Sequence, residues 1–242
     1  MLVRSDSLLI GQPAHAWVSG QLARAWGGER FPAPTPYEPV CLAAEQHDVG
    51  WVDADVAPLR GADGRPLSFL EYPRLEHVAI WRGAAGRLLA QSRYAALLVS
   101  LHGTSLYERW VDPDSYPAPV ATEIRDYLDG QRALQARLAA GLDPGEVERN
   151  RRLLLALDAF SLALCHDRAA TLDDVPGADG PAHIQVEPAG PPGGATGRFS
   201  IAPWPFSAGG PVVVGCEARR LGADAALETA EWVPLRWELS PG

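Results

Sequence analysis

The sequence predicts an α+β fold, a mainly α-helical bundle followed by a small antiparallel, β-rich C-terminal portion. Three observations carry this. Segments with apolar residues at helical spacing fill most of residues 1–174. From about residue 175 the texture changes, because PGADGP and PAGPPGGATG frame short runs that alternate or are β-branched. Helices and strands are not interleaved, which argues against a βαβ repeat. With 242 residues, 47% of them hydrophobic, the chain can bury a substantial core. The two parts, 1–174 and 175–242, are expected to form one cooperative unit.

Residues 1–10 alternate well enough for one strand, and Pro13 sits where a first helical turn tolerates it. A helix over 13–26 follows. The turn-rich GGERFPAPTPYEP leads into a second helix over 37–50, stopped by Gly50. Proline, glycine and aspartate between Val52 and Pro73 predict an irregular loop. Further helices are expected over 75–90, 94–110, 120–140 and 145–166. In the tail, HIQVE, RFSIA, VVVGCEARRL and WVPLRWEL read as strands. Strands this short, carrying Phe199, Ile201, Trp204, Phe206, Trp232 and Trp237, need a surface to cover them, and the helices are the nearest one. APWPF, with prolines bracketing Trp204, is stiff enough to anchor the tail there.

Composition excludes several functions. The net charge of −9 is spread without a long single-sign block, which argues against nucleic acid and anionic membranes as partners. All 21 basic residues are arginine, so Schiff-base chemistry, lysine bases and a Walker lysine are absent. Cys41, Cys165 and Cys216 are far apart and odd in number, which suggests reduced thiols and not a disulfide framework. The opening apolar run is too short for a signal peptide, and no segment reaches 18 uninterrupted apolar residues. A soluble, cytoplasmic protein is expected, of undetermined oligomeric state.

The chemistry lies in polar residues on apolar helix faces. His47 falls four residues after Ala43 and seven after Val40, and Asp48 aligns with Ala44 and Cys41. Helical spacing aims both inward, where an unpaired carboxylate costs several kcal/mol, about 2–7 for even a neutral polar group, unless it is protonated or meets a cation. The pattern recurs. His15 shares a face with Ser19, Leu22 and Trp26, His102 with Ala95, Leu98 and Leu106, and Asp158 with Leu154, Ser161, Leu162 and Cys165. Imidazoles and carboxylates projecting from successive apolar helices are what a bundle needs to hold a divalent metal in its core. A donor set without cysteine suits zinc, manganese, iron, nickel or magnesium.

The order His15, His47-Asp48, a further histidine, then Asp158 is similar to that of the HD superfamily of metal-binding helical proteins. That resemblance implies His15, His47, Asp48 and Asp158 as primary ligands, with His102 and His77 filling the extra histidine positions of binuclear members. It implies a metal-dependent hydrolase of a small phosphate-ester or nucleotide-like substrate, in which Asp48 or Asp53 takes a proton from metal-activated water. A di-iron oxygenase on the same scaffold and a non-catalytic metal- or ligand-binding protein are the alternatives. More narrowly, QPAHAWVSGQLARAWG, AAEQHDVGW, YAALLVSLHGTSLY, LDAFSLALC and APWPF resemble a bacterial family, domain of unknown function 3891.

Other polar residues have plainer readings. His166-Asp167 lies where the last helix ends and suits a cap, and His183 begins a tail strand. Trp51, directly after the dyad, is a candidate pocket wall, and Ser161 shares the face of Asp158. Arg24, Arg93 and Arg109 are nearest in sequence to the candidate ligands. Asp53 and Asp55 suit either turn chemistry or the orientation of a ligand.

Overall fold

The computed structural model describes residues 1–4, 8–191, 193–222, 227 and 229–242. The helices are α1 (Gln12–Ala25), α2 (Tyr37–Gln46), α3 (Val52–Val56), α4 (Arg74–Leu88), α5 (Arg93–Trp110), α6 (Ala118–Leu138) and α7 (Pro144–Cys165). Their starts follow local rules. Ser92 accepts the Ala95 N–H at the head of α5, Asp143 accepts the Glu146 N–H at the head of α7, and Pro144 takes the first position of α7. The second helix is shorter than expected, because the chain leaves it after Gln46 and makes a 3-10 turn over Val49–Trp51 before α3. Part of the anticipated loop is therefore helical.

The expectation of a helical bundle with a small C-terminal β portion is incorrect. Helix accounts for 48% of the structure and strand for 23%, and the strands form one curled seven-stranded sheet. These are β1 (Leu2–Val3), β2 (Leu8–Ile10), β3 (Ala170–Gly177), β4 (Gly180–Pro188), β5 (Thr196–Ala202), β6 (Val212–Arg220) and β7 (Glu231–Pro241), in the order β1-β2-β6-β7-β5-β4-β3. Residues 1–10 hold two strands that pair antiparallel, with Leu2 opposite Ile10, and residues 5–7 of the expected single strand lie outside those described. Nor is the sheet wholly antiparallel, since β5 and β7 run parallel. The reason is long-range register. Strand β2 pairs with β6 through Leu8 and Arg220, a contact between opposite ends of the chain that local periodicity does not encode.

Strand β7 shows how the layers join. Val233, Leu235, Trp237 and Leu239 are buried while Trp232, Pro234, Arg236 and Glu238 are exposed, so one face of the sheet packs and the other is wet. The buried face shares a continuous apolar core with Leu22 and Trp26 of α1, Leu97 and Leu98 of α5, and Leu157 and Phe160 of α7. Phe206 of APWPF packs edge-on against Trp26 at 5.9 Å and lies 6.1 Å from Phe160. Gln21 of α1 clamps β6 by giving 2.7 Å and receiving 3.1 Å hydrogen bonds at Gly215.

Close approach decides one glycine. A Cβ at Gly50 would stand 2.5 Å from the Ile80 carbonyl oxygen on α4, and that backbone cannot yield cheaply. Gly50→Ala is expected to destabilise the protein by about 1–3 kcal/mol. Gly83→Ala, in the middle of α4 with open space around it, is expected to stabilise by about 0.5–1 kcal/mol. Denaturant midpoints moving in the same direction for both would contradict this packing.

Candidate metal centre

Four helices deliver the five inward-facing residues. His15 is in the first turns of α1, His47 caps the end of α2, Asp48 follows it, His102 is on α5 and Asp158 is on α7. All five are buried, and the largest opening to solvent is at the Asp158 side chain, 12% exposed.

The orientation of His47 follows from its place at the helix end. Its Nδ1–H donates to the Ala44 carbonyl at 2.8 Å, one of the carbonyls a helix end leaves free. That bond commits Nδ1, so Nε2 is the nitrogen turned into the core, and it is the one a metal would take once the ring gives up its second proton. There it lies 3.2 Å from His15 Nε2, 3.4 Å from Asp158 Oδ1 and 3.8 Å from Asp48 Oδ2. His15 Nε2 is 3.1 Å from Asp158 Oδ1, and its Nδ1 is 3.5 Å from Asp48 Oδ2. Asp158 turns its other oxygen to His102 Nε2 at 3.7 Å. Below it, Ser161 donates to the Asp158 carbonyl at 2.9 Å and lies 2.9 Å from Ser19 Oγ, a buried brace between α7 and α1.

Electrostatics make the cluster demanding. Burial pulls the His47 pKa down, yet the charge of Asp48 and the hydrogen bond and charge of Asp158 raise it to about 9. Burial pushes the Asp48 carboxyl up despite His47 and His15. For Asp158, burial is outweighed by hydrogen bonds from His15 and His47, which hold it well below the usual carboxylate range. Burial, only partly offset by Asp158, takes His102 down to about 3. Two buried carboxylates need positive charge nearby, and one divalent cation supplies it.

The distances fit a cation as well. Ligand arms of about 2.0–2.2 Å in a tetrahedral arrangement put donor atoms about 3.3–3.6 Å apart. Two overlapping groups, His15-His47-Asp48 and His47-His102-Asp158, each have donor atoms within 4.8 Å of one another. This buried histidine and aspartate group could hold a metal ion.

The remaining candidates fall elsewhere. Asp53 is 79% exposed and pairs with Arg87 at 2.6 Å, because α3 turns that side chain outward. Asp55 is the buried one of the two, and its carboxylate accepts the Gln12 N–H that opens α1, the helix carrying His15. Trp51 is buried among Phe69, Tyr72 and His77. His77 is outside both metal-capable groups and bonds Tyr107 Oη through Nδ1 at 2.6 Å. His166 caps α7, and His183 pairs with Asp173 at the surface. Arg24 pairs with Glu45, Arg93 bonds the Ala140 carbonyl, and Arg109 lies over Trp110. A cavity of about 410 Å³ lined by Leu75, Val78, Ala79, Arg82 and Glu123 includes none of the five. Sequence reasoning missed the capping role of Asp55 and the Ala44 carbonyl. The latter was legible, since a histidine ending a helix can reach the carbonyl three residues back.

Fold and site together define an α+β protein with a buried histidine and aspartate cluster suited to a divalent cation. The chain belongs to the family described as "Protein of unknown function (DUF3891)", whose model matches residues 1–222. No curated protein and no solved structure matches it. Among the described residues no helix is long and apolar enough to cross a membrane.

Proposed function

We propose that the chain binds one divalent cation through His15 Nε2, His47 Nε2, Asp48 and Asp158, and acts as a metal-dependent hydrolase of a small phosphate ester or nucleotide-like molecule. The observation that carries the metal is the convergence of two carboxylates and the His15 and His47 Nε2 atoms within 3.1–3.8 Å contacts in a buried setting. A bound divalent cation would supply Lewis acidity and lower the pKa of a water to roughly 7. The chain's own residues do the rest. Ala44 holds His47 in the liganding tautomer, and Ser161 steadies α7 beneath Asp158. Asp48, beside His15 and His47, would take the proton that such a water releases, and the partly open flank of Asp158 would be the way in. The phosphate-ester substrate rests on the HD-like order of the five residues.

One cation is the expected stoichiometry. His47 belongs to both metal-capable groups but has a single free nitrogen, because Nδ1 is committed to Ala44. Protein purified without added metal or chelator should carry close to one equivalent, and His102→Ala should keep it. Two equivalents in wild type, falling to one in His102→Ala, would support a binuclear centre instead. Turnover of phosphate monoesters or nucleotides that disappears with a chelator and returns with metal tests the hydrolase. The near-complete burial of the five residues favours one second reading, a non-catalytic metal site, which predicts full metal occupancy and no turnover.

A further inference from the structure

Helices α4 and α5 and the 3-10 turn line up a row of rings beside the metal centre. Trp51 lies 5.3 Å from His77, His77 lies 6.4 Å from Trp81, and Trp81 lies 5.6 Å from His102. Two features of the row are chemically unfinished. Trp51 and Trp81 are 1% and 5% exposed, and neither indole N–H has an acceptor among the described residues. Leaving a buried donor unpaired is costly, and native interiors seldom do so without a bound partner.

The second feature is Arg74, half-buried at the start of α4. Its Nε donates to Tyr116 Oη at 3.1 Å, and its guanidinium carbon lies 5.8 Å from the Tyr107 ring and 5.4 Å from the Tyr116 ring. Among the described residues it meets no carboxylate, whereas Arg82 and Arg87 of the same helix pair with Glu123 and Asp53. A guanidinium positioned by two tyrosines and left without a counter-ion is a preorganised fork for two anionic oxygens.

His77 completes the arrangement. The Arg74 guanidinium also lies against Tyr107, whose pKa burial raises to about 12, so the phenol keeps its proton and, with a cation beside it, donates the 2.6 Å hydrogen bond to His77 Nδ1. Burial, then the charge of Arg74, holds His77 at about 3, so the ring is neutral and its one proton sits on Nε2. Among the described residues the Tyr107 contact is the hydrogen bond of the His77 side chain, and its Nε2 is left for a ligand.

We propose that Arg74 and His77 form a binding site for the oxyanion end of a small molecule, a phosphate or carboxylate, whose other acceptors meet the Trp51 and Trp81 indoles. The site uses none of the four proposed metal ligands and stands whether or not the cluster holds metal. Trp81, touching His102, makes it a neighbour of that cluster.

Titration of inorganic phosphate into the full-length protein, followed calorimetrically and by tryptophan fluorescence, tests the site. Saturable binding at millimolar or lower concentration is expected, weakened at least tenfold in Arg74→Gln and several-fold in His77→Phe, which keeps an aromatic ring but has no donor. Arg87→Gln, whose arginine already has a carboxylate, should bind as wild type does. Parallel titration with acetate decides between the two sources of oxyanion, and tighter binding of either supports the site. Absence of saturable binding of both anions, or equal affinity in wild type and both site variants, overturns it. Metal content and circular dichroism of each variant show separately whether the cluster and the fold survive, so loss of the metal reading would not be mistaken for loss of this one.

Discussion

His47→Ala and Asp158→Ala should each take the bound metal from near stoichiometric to below about a tenth of an equivalent, with helical content largely kept. His47 Nε2 stands in both metal-capable groups, and Asp158 presents one oxygen to His15 and His47 and the other to His102. Removing either takes away a donor that no neighbour replaces. Second-sphere changes typically cost about 10–100-fold in affinity, and loss of a direct ligand should exceed that. His166→Ala is the control, because His166 caps α7 outside the cluster. Elemental analysis showing full occupancy in either cluster variant would remove both residues from the ligand set. His47→Ala also leaves Asp48 and Asp158 with less positive charge, so a lower melting temperature is expected even without metal.

Truncation after residue 174 should abolish folding and not merely weaken it. The cut falls within β3, removes β4 to β7, and strips β2 of its pairing with β6. It also deletes Val186, Phe199, Ile201, Phe206, Val214, Leu235, Trp237 and Leu239 from the apolar core shared with the helices. At about 1.5–3 kcal/mol for each such side chain, the loss matches or exceeds the roughly 5–15 kcal/mol by which domains are stable. The 1–174 and 175–242 parts are therefore proposed to be one cooperative unit. An aggregated or non-cooperatively melting 1–174 fragment is expected. A soluble fragment with its metal and an unchanged melting temperature would make the tail an independent module.

The helices were legible because their signals are local. Pro13, Ser92, Asp143 and Pro144 stand at or near the starts of the helices they open, and the apolar stripes of α1, α5 and α7 carried His15, His102 and Asp158 inward. The dyad was legible too, though His47 ends α2 and Asp48 lies outside it, where a continuous helix to Gly50 had been expected. The sheet was misjudged for the opposite reason. MLVRSDSLLI has a strand's alternation, but nothing within ten residues indicates that Leu8 faces Arg220 or that β5 runs parallel to β7.

The same division runs through the site. Residue type and helical spacing determined that His15, His102 and Asp158 face the interior, since a side chain's direction along a helix depends on its position in the repeat, whereas His47 and Asp48 are turned inward by the helix end and the 3-10 turn after it. Which of them meet was decided by how the helices pack. Asp53 and Asp55 are equivalent in sequence, yet α3 sends one to Arg87 at the surface and the other to the head of α1. His77 carries the same imidazole as His102, but packing against Trp51 and Tyr107 takes it away from the cluster. Arg74 resembles twenty other arginines until Tyr107 and Tyr116 close around it. Periodicity sets the direction of a side chain from its own helix, whereas the atoms it meets belong to other helices, whose approach depends on the whole core.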